Sequence, residues 1–380
     1  MTADTFGAPT WHPAGHALLY TAEPLTPSCP TPSASTFLYT ADFGEKFTGK
    51  RFPTVFLLAL ASSPFHKSLS TKPALHQLTN HTTFPSTSFG QAIFLPSSDG
   101  RQTPRVLATG YSSLGDARKL GIVYCANRPA GIYEFGLSLC DSTWSATTAT
   151  LQSPAQLSCR SPRALHPPPG AKFGPLVVFL ANPAGGPHSS CAALHAVSLA
   201  SSQTTVLVPV VSTPVGPDAF PGLYLDQLPQ NPFVMTPDGP AVVLSSSWRS
   251  RKVPIVVSLM DGRVSGLAPW PERSENDVVL PWLGEKKREA LKSISVLGTD
   301  GGSRVVGLRS GMVGPAELVV ADLSARMVEW KIVKAPKPPS QGASVLLFYR
   351  PAMSDLQPFH SIIRARKARL DRPASPQIRA

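Results

Sequence analysis

The run FPGLYLDQLPQNPFVMTPDGPAVVLSSSWRSRKVPIVVSLMDGRVSGLAPW, from Phe220 to Trp270, sets the scale of what this chain can build. It holds four short apolar runs: Leu223–Leu228, Pro232–Met235, Ala241–Ser245 and Pro254–Leu259. The last continues through a turn into Val264–Leu267. Thr236-Pro237-Asp238-Gly239 separates two of them with a Pro that presets φ, an Asp that bonds its own backbone and a Gly free to take positive φ. Asp261-Gly262 is a two-residue hairpin signal of the type I′ kind. Runs this short, joined this tightly, predict one antiparallel meander of four strands.

Proline forbids the main competitor. The chain has 41 prolines in 380 residues. Each removes a backbone donor and clashes with the preceding helical turn, so long helices are excluded. Charged residues are only 15% of the chain against 42% apolar, which suits sheets buried on both faces.

The turn-then-strand signal recurs along the chain. Prolines mark it at 13, 96, 167 and 237, and a Gly-rich counterpart lies near 300. Expected strands in these units include Ala17–Tyr20, Phe37–Phe43, Thr54–Ala61, Leu75–Thr79, Phe89–Leu95, Val106–Tyr111 and a hairpin of Leu120–Ala126 with Gly131–Leu137. Leu176–Leu180, Ala192–Leu199, Thr204–Val211, Ser293–Leu297, Val305–Leu308, Ala316–Leu323 and Met327–Val333 follow. Repetition of one supersecondary unit is the signature of a repeat or propeller architecture. The expected fold is an all-β β-propeller of four-stranded antiparallel blades, about five in number and partial. It fills residues 1–334, with a Pro/Ser-rich insert at 24–36. A linker and a disordered basic tail fill 335–380. Open ends of a partial propeller invite pairing with other chains, so a homo-oligomer is expected.

The net charge of +12 comes from scattered bases, with denser places at Arg249–Lys252 and in the tail from Arg364 to Arg379. No aromatic-studded basic groove accompanies them, which argues against nucleic acid as the partner. The five cysteines have no C-x-x-C spacing and no signal peptide precedes them, so free thiols and a cytoplasmic location are expected. The longest apolar runs, Val55–Ala61 and Leu176–Ala181, are too short to cross a bilayer as helices.

Several short sequences then appear in a fixed order. They are Trp11–Glu23 (WHPAGHALLYTAE), Asp42-Phe43-Gly44-Glu45 with Lys50 and Pro53, Phe89-Gly90-Gln91-Ala92, Leu120-Gly121-Ile122 with Cys125-Ala126-Asn127-Arg128, Ser161-Pro162-Arg163, Phe220–Tyr224 and Ser246–Arg251. This order resembles the N-terminal β-propeller of acylaminoacyl peptidases, the acylamino-acid-releasing enzymes of the prolyl oligopeptidase family. The likeness runs from Pro9 to Trp270 and weakens through the fifth unit. Family members carry an α/β-hydrolase domain after the propeller, which releases N-acetylated amino acids from short peptides with a Ser, Asp, His triad, while the propeller screens access. Set against that pattern, the resemblance leads to the expectation that the family's N-terminal helix and first blades are missing before Thr10 and that this sequence holds no hydrolase domain after Val333. The resemblance implies a gating and interaction domain. Its partners are an α/β-hydrolase domain and N-acylated peptides passing through the channel. The alternative is a free-standing propeller scaffold that binds a protein partner.

No catalytic motif is complete in the sequence. An α/β-hydrolase needs Gly-x-Ser-x-Gly on a strand-to-helix turn. The near misses are Gly136-Leu137-Ser138-Leu139-Cys140, which lacks the second Gly, and Gly307-Leu308-Arg309-Ser310-Gly311, whose Ser is misplaced. Gly185-Gly186-Pro187-His188 looks like an oxyanion loop, but Ala184 stands where its first His belongs. Gly44–Lys50 has phosphate-loop spacing, yet Arg51 replaces the Ser or Thr and Pro53 introduces a strand. His12 and His16 have i, i+4 spacing on a turn rather than a helix, and no carboxylate or Cys cluster completes a metal site. Asp42 and Glu45 read as a solvated loop. The expectation is therefore no catalytic residue, no cofactor and no metal, and no peptidase activity from this chain alone. Arg249, Arg251 and Lys252, on the outward side of the fourth unit, are the candidate contacts for an acidic partner.

Overall fold

The computed structural model describes residues 3–334 apart from 8, 25–37, 39–42, 44–51, 62, 66–71, 96–102, 115–119, 123–124, 168–170, 172, 217–218, 268–291, 312–314 and 326–327. Residues 1–2 and 335–380 also lie outside the described set. The Phe37–Phe43 strand, most of the Pro/Ser insert, the phosphate-loop spacing and the whole tail fall there.

A four-residue helix, α1 (Ala3–Phe6), precedes twenty strands. The first blade is β1 (Thr10–Trp11), β2 (Ala17–Ala22), β3 (Thr54–Ala59) and β4 (Ala74–Gln77). The second is β5 (Thr87–Phe94), β6 (Val106–Ser112), β7 (Ala130–Cys140) and β8 (Thr143–Leu151). The third is β9 (Leu157–Leu165), β10 (Leu176–Pro183), β11 (Ala193–Ser198) and β12 (Thr204–Val208). The fourth is β13 (Phe233–Thr236), β14 (Gly239–Trp248), β15 (Arg251–Ser258) and β16 (Val264–Gly266). The fifth is β17 (Ser293–Thr299), β18 (Arg304–Ser310), β19 (Glu317–Asp322) and β20 (Lys331–Lys334). Each is an antiparallel meander in chain order. Blades 2 and 3 also touch through one parallel pair, Ala130 with Ser158.

The recurring turn signal has one location. Pro13, Pro167, Pro237 and Gly301 each fall between the first and second strand of a blade, and Pro96 lies outside the described residues. At Thr236–Gly239 the ladder closes directly across Pro237-Asp238, with Gly239 at φ 119.

The core lies between blades rather than within them. Alternate residues of each strand face opposite ways, so each sheet has an apolar face for each neighbour. Leu19, Val55 and Leu57 of blade 1 pack with Phe94, Val106 and Phe135 of blade 2. Leu107 and Ile132 of blade 2 pack with Val177 and Phe179 of blade 3. Val178, Leu180 and Leu194 of blade 3 meet Val242, Leu244 and Ile255 of blade 4. Val234 and Val243 of blade 4 meet Val305 and Leu323 of blade 5. Among the described residues no apolar cluster joins blade 5 to blade 1. One further fastening joins blades 1 and 2. The Ala146 amide of β8 donates to the Leu78 carbonyl at 2.7 Å. The Trp144 amide donates to His76 Nδ1, and its indole N–H donates to the Phe65 carbonyl at 3.0 Å.

Four expectations need correction. Leu223–Leu228 is not a strand: it makes an isolated bridge from Leu223 to Ala192 and is otherwise a loop whose carbonyls are taken by arginines of β9. Gly262 has φ 73 but Asp261 does not take positive φ, so the Asp261-Gly262 turn is not type I′. Ser258 organises it instead, its hydroxyl accepting the Met260 and Asp261 amides. Third, the described part of Leu120–Ala126 forms no strand, and β7 pairs with β6 and β8. The fourth concerns β8 and β9, which were not expected. The sequence of β8 is Thr-rich with only Trp144 and Ala146 buried, so its apolar signal is thin. Pro162 hides β9, since proline is confined to strand edges and bulges. Here it sits beside a bulge, between the Val178–Arg163 and Leu180–Arg160 pairs, with Ser161 at φ 57.

Candidate functional site

The inner strands and the loops between them enclose a cavity of about 860 Å³. Blade 2 contributes Gln91 and Tyr111, and blade 3 contributes Ser158, Cys159 and Arg160. Tyr224, Asp226 and Leu228 of the loop before blade 4 line it, as do Ser245, Ser247 and Lys252 of that blade. Ser295 and Val296 of blade 5 complete the wall.

Two half-buried arginines, Arg160 and Arg163, set the shape of this wall. Arg160 donates from Nε to the Asp226 carbonyl at 2.9 Å, from Nη1 to Asn182 Oδ1 at 2.6 Å and from Nη2 to the Leu225 carbonyl at 3.1 Å. Arg163 donates from Nε to the Pro229 carbonyl at 2.6 Å and from Nη2 to the Leu228 carbonyl at 2.8 Å. Burial lowers the pKa of both, that of Arg163 to about 10, so Arg163 remains a cation near neutral pH. Their fixed forks suit adjacent carbonyls. They hold Leu225–Pro229 against β9 and give the cavity a set wall.

Gln91 is the second organiser. It is buried at φ 52, at a bulge in β5. Its Nε2 donates to the Thr5 carbonyl at 2.8 Å. Its Oε1 accepts the Thr109 hydroxyl at 2.9 Å and the Ser161 amide at 2.6 Å. Ser161 Oγ in turn accepts the Leu228 amide at 2.9 Å. One chain of hydrogen bonds thus runs from α1 through blades 2 and 3 to the loop before blade 4. Tyr111 Oη also donates to the Thr5 carbonyl at 2.7 Å, and burial raises its pKa. Phe6 fills the space beside it, 5.5 Å from the Tyr111 ring and 5.4 Å from Phe43.

The wall is rich in hydroxyls but includes no histidine. Burial pushes the Cys159 thiol up to about 12, so it stays protonated and is a poor nucleophile. A serine–histidine contact does occur elsewhere, Ser63 Oγ with His16 Nδ1 at 3.3 Å. It lies in the loop after β3, where Ser63 Oγ already accepts the Phe65 amide at 3.2 Å. Gly136–Cys140 lies on β7, and Gly307–Ser310 lies on β18. The Gly185 amide donates to the Asn127 carbonyl at 2.7 Å, and Asn127 Nδ2 donates to the Gly186 carbonyl, so this loop fastens blade 3 to the chain before β7. His12 and His16 stack ring on ring at 4.2 Å, against Phe65 and Phe94.

The basic trio divides. Arg249 sits in the β14–β15 turn at φ 57. Arg251 is only 6% exposed, so it is not an outward-facing group. Lys252 lines the cavity. The outward placement expected from the sequence fails for Arg251, because neighbouring strand residues face opposite ways, while Arg249 and Lys252 are exposed. Arg160, Tyr111 and Asp226 gave no sequence signal as wall residues. Gln91 and Arg163 appear in the short sequences carrying the resemblance, but without a role.

Five four-stranded meanders in chain order, packed face to face beside a cavity lined by blades 2 to 5, define a β-propeller domain. Residues 37–280 match the family model "Acylamino-acid-releasing enzyme, N-terminal domain", and the chain belongs to that family. The acylamino-acid-releasing enzyme of Arabidopsis thaliana is 29% identical over 237 residues, covering 60% of this chain and 28% of the relative. Acylamino-acid-releasing enzyme 2 of Oryza sativa subsp. japonica is 28% identical over 256 residues, covering 62% and 31%. The chain thus spans under a third of the length of these relatives. Among solved structures, prolyl oligopeptidase B from Galerina marginata aligns at a TM-score of 0.46 and 9% identity, over 87% of this chain and 35% of that one. Among the described residues no helix is long and apolar enough to cross a membrane.

Proposed function

We propose that this chain is the non-catalytic propeller of an acylamino-acid-releasing peptidase, working in the cytosol as an access screen for an α/β-hydrolase domain. The observation that carries the reading is the size and fixing of the cavity. At about 860 Å³ it lies within the roughly 300–1,000 Å³ range of small-ligand sites. A folded domain of about 100 residues has a radius of gyration near 13 Å, a volume on the order of 10⁴ Å³, and is excluded. Short N-acylated peptides fit, and the wall offers them hydroxyl donors and the Lys252 ammonium. Among the described residues Cys125, Cys140, Cys159 and Cys191 are free thiols, which supports a reducing compartment. The domain boundary near residue 334 belongs to the same proposal.

Acyl transfer requires a nucleophile, a base and oxyanion donors in one place. The test is hydrolysis of an acetylalanine anilide by the purified chain, with a fluorophosphonate probe alongside. The expected result is no turnover and no serine labelling. Adding a separately expressed α/β-hydrolase polypeptide from a relative should then give activity on short acetylated peptides and none on acetylated folded proteins. Labelling of a serine in the folded chain above the denatured background overturns the non-catalytic reading. Equal activity on folded proteins overturns the screening role.

A further inference from the structure

Among the described residues, the first and fifth blades each have an apolar sheet face that no other blade covers. On blade 1, Trp11 pairs with Leu18, Leu18 with Leu58 and Leu58 with Leu75. Directly opposed residues share a face, so these four form a row across the whole sheet. Tyr20, Phe56 and Gln77 form the next row, with the two rings stacked at 5.4 Å. This is the face opposite Leu19 and Leu57, which are buried against blade 2. Trp11 is 57% exposed, lining at the same time a small groove with Phe94, His166 and Phe233, and Leu75 is 56% exposed. On blade 5, Leu308 pairs with Leu318 and Val306 with Val320, on the face turned away from blade 4. Leu308 is 39% exposed.

We propose that the free face of blade 5 in one copy of the chain packs on the free face of blade 1 in a second copy. Every junction inside the chain has this form: an apolar face of one blade meets the opposite-side apolar face of the next. The two free faces are the remaining pair of that series and have the matching sense. Self-pairing is less favourable for blade 5, because Lys331 lies opposite Val320 on that face and would meet its own copy. Blade 1 offers no cation in those rows, and its stacked Tyr20 and Phe56 rings suit a lysine neighbour. The contact is heterologous, head to tail. The strands of blade 5 are 7, 7, 6 and 4 residues long and those of blade 1 are 2, 6, 6 and 4, so sheets with strands about 4.8 Å apart present roughly 300–400 Å² per face, or about 600–800 Å² per junction. That is the low end of specific interfaces, so association depends on concentration.

The experiment is sedimentation of the full 380-residue chain from about 1 µM to about 1 mM. Leu75→Glu and Leu308→Glu are run singly and mixed. Both side chains are already substantially exposed, so circular dichroism should show both variants folded. The wild type should associate. Each variant alone should need at least about tenfold more protein to do so. The mixture should regain association and stop at one-to-one dimers, because one variant keeps blade 5 and the other keeps blade 1. A wild type that stays monomeric throughout overturns the proposal. So does a mixture no better than its components, or variants that associate like the wild type, which would assign the contact to strand edges.

Discussion

Replacing Gln91 by alanine removes the node of the cavity wall. The side chain supplies the acceptor for the Thr109 hydroxyl and the Ser161 amide, and both residues are buried, at 0% and 1% exposure. A buried polar group left without a partner costs about 1–3 kcal/mol. The Thr5 carbonyl keeps its bond from Tyr111, so its loss is small. Two orphaned donors give about 3 kcal/mol for Gln91→Ala. The left-handed backbone at φ 52 is equally unfavourable for Gln and Ala, so that strain cancels. Glycine does not carry it, and Gln91→Gly should recover about 1 kcal/mol of the loss. Adding Thr109→Val to Gln91→Ala deletes one orphan and should also restore about 1 kcal/mol. Urea titrations followed by tryptophan fluorescence measure all four proteins. A Gln91→Ala chain within about 0.5 kcal/mol of wild type, or a glycine variant as unstable as the alanine one, refutes the argument.

Acid should weaken the fold through His12. Burial and the neighbouring His16 and His166 lower its pKa to about 4 from 6.5, and its Nδ1 accepts the Ala14 amide. The unfolded chain therefore binds the proton first, and stability present above pH 6.5 is lost as pH falls toward 4. Discounted for partial exposure, the loss by pH 5 is about 1 kcal/mol, and His12→Gln should flatten the urea midpoint between pH 7 and pH 5. Leu244→Ala opens a void between blades 3 and 4, where Leu244 is fully buried, and should cost about 2–5 kcal/mol in the same titration. Gly262→Ala should cost more than about 2 kcal/mol, because a Cβ there would lie 2.1 Å from the Leu207 carbonyl oxygen at φ +73; a thermal melt unchanged from wild type would contradict this.

What was legible in the sequence was local. The five first-to-second strand turns are written in Pro and Gly within a few residues, and their recurrence counts the blades. What was hidden depends on distant partners. Leu223–Leu228 has the apolar content of a strand, yet its carbonyls are claimed by Arg160 and Arg163, more than 60 residues earlier. Ser161 and Gln91 take positive φ without being glycine, held there by side-chain bonds that no spacing announces. The cavity followed the same rule. Its serines carry no motif, and whether a strand residue such as Lys252 or Arg251 faces the channel depends on a register that the turn chemistry around Arg249 leaves open.

The link from β8 to blade 1 bears on the order of events during synthesis. Strands β1–β4 are complete once Gln77 has been made, but the His76 ring and the Phe65 carbonyl wait for Trp144, which is 68 and 79 residues away from them. At about 5–20 residues per second, the ribosome needs on the order of 3–16 s to deliver it. During that interval β5 and β6 emerge and can cover Leu19 and Leu57 with Phe94 and Val106, while the β4 end of the first sheet, with His76 and the Phe65 carbonyl, stays open until β8 arrives.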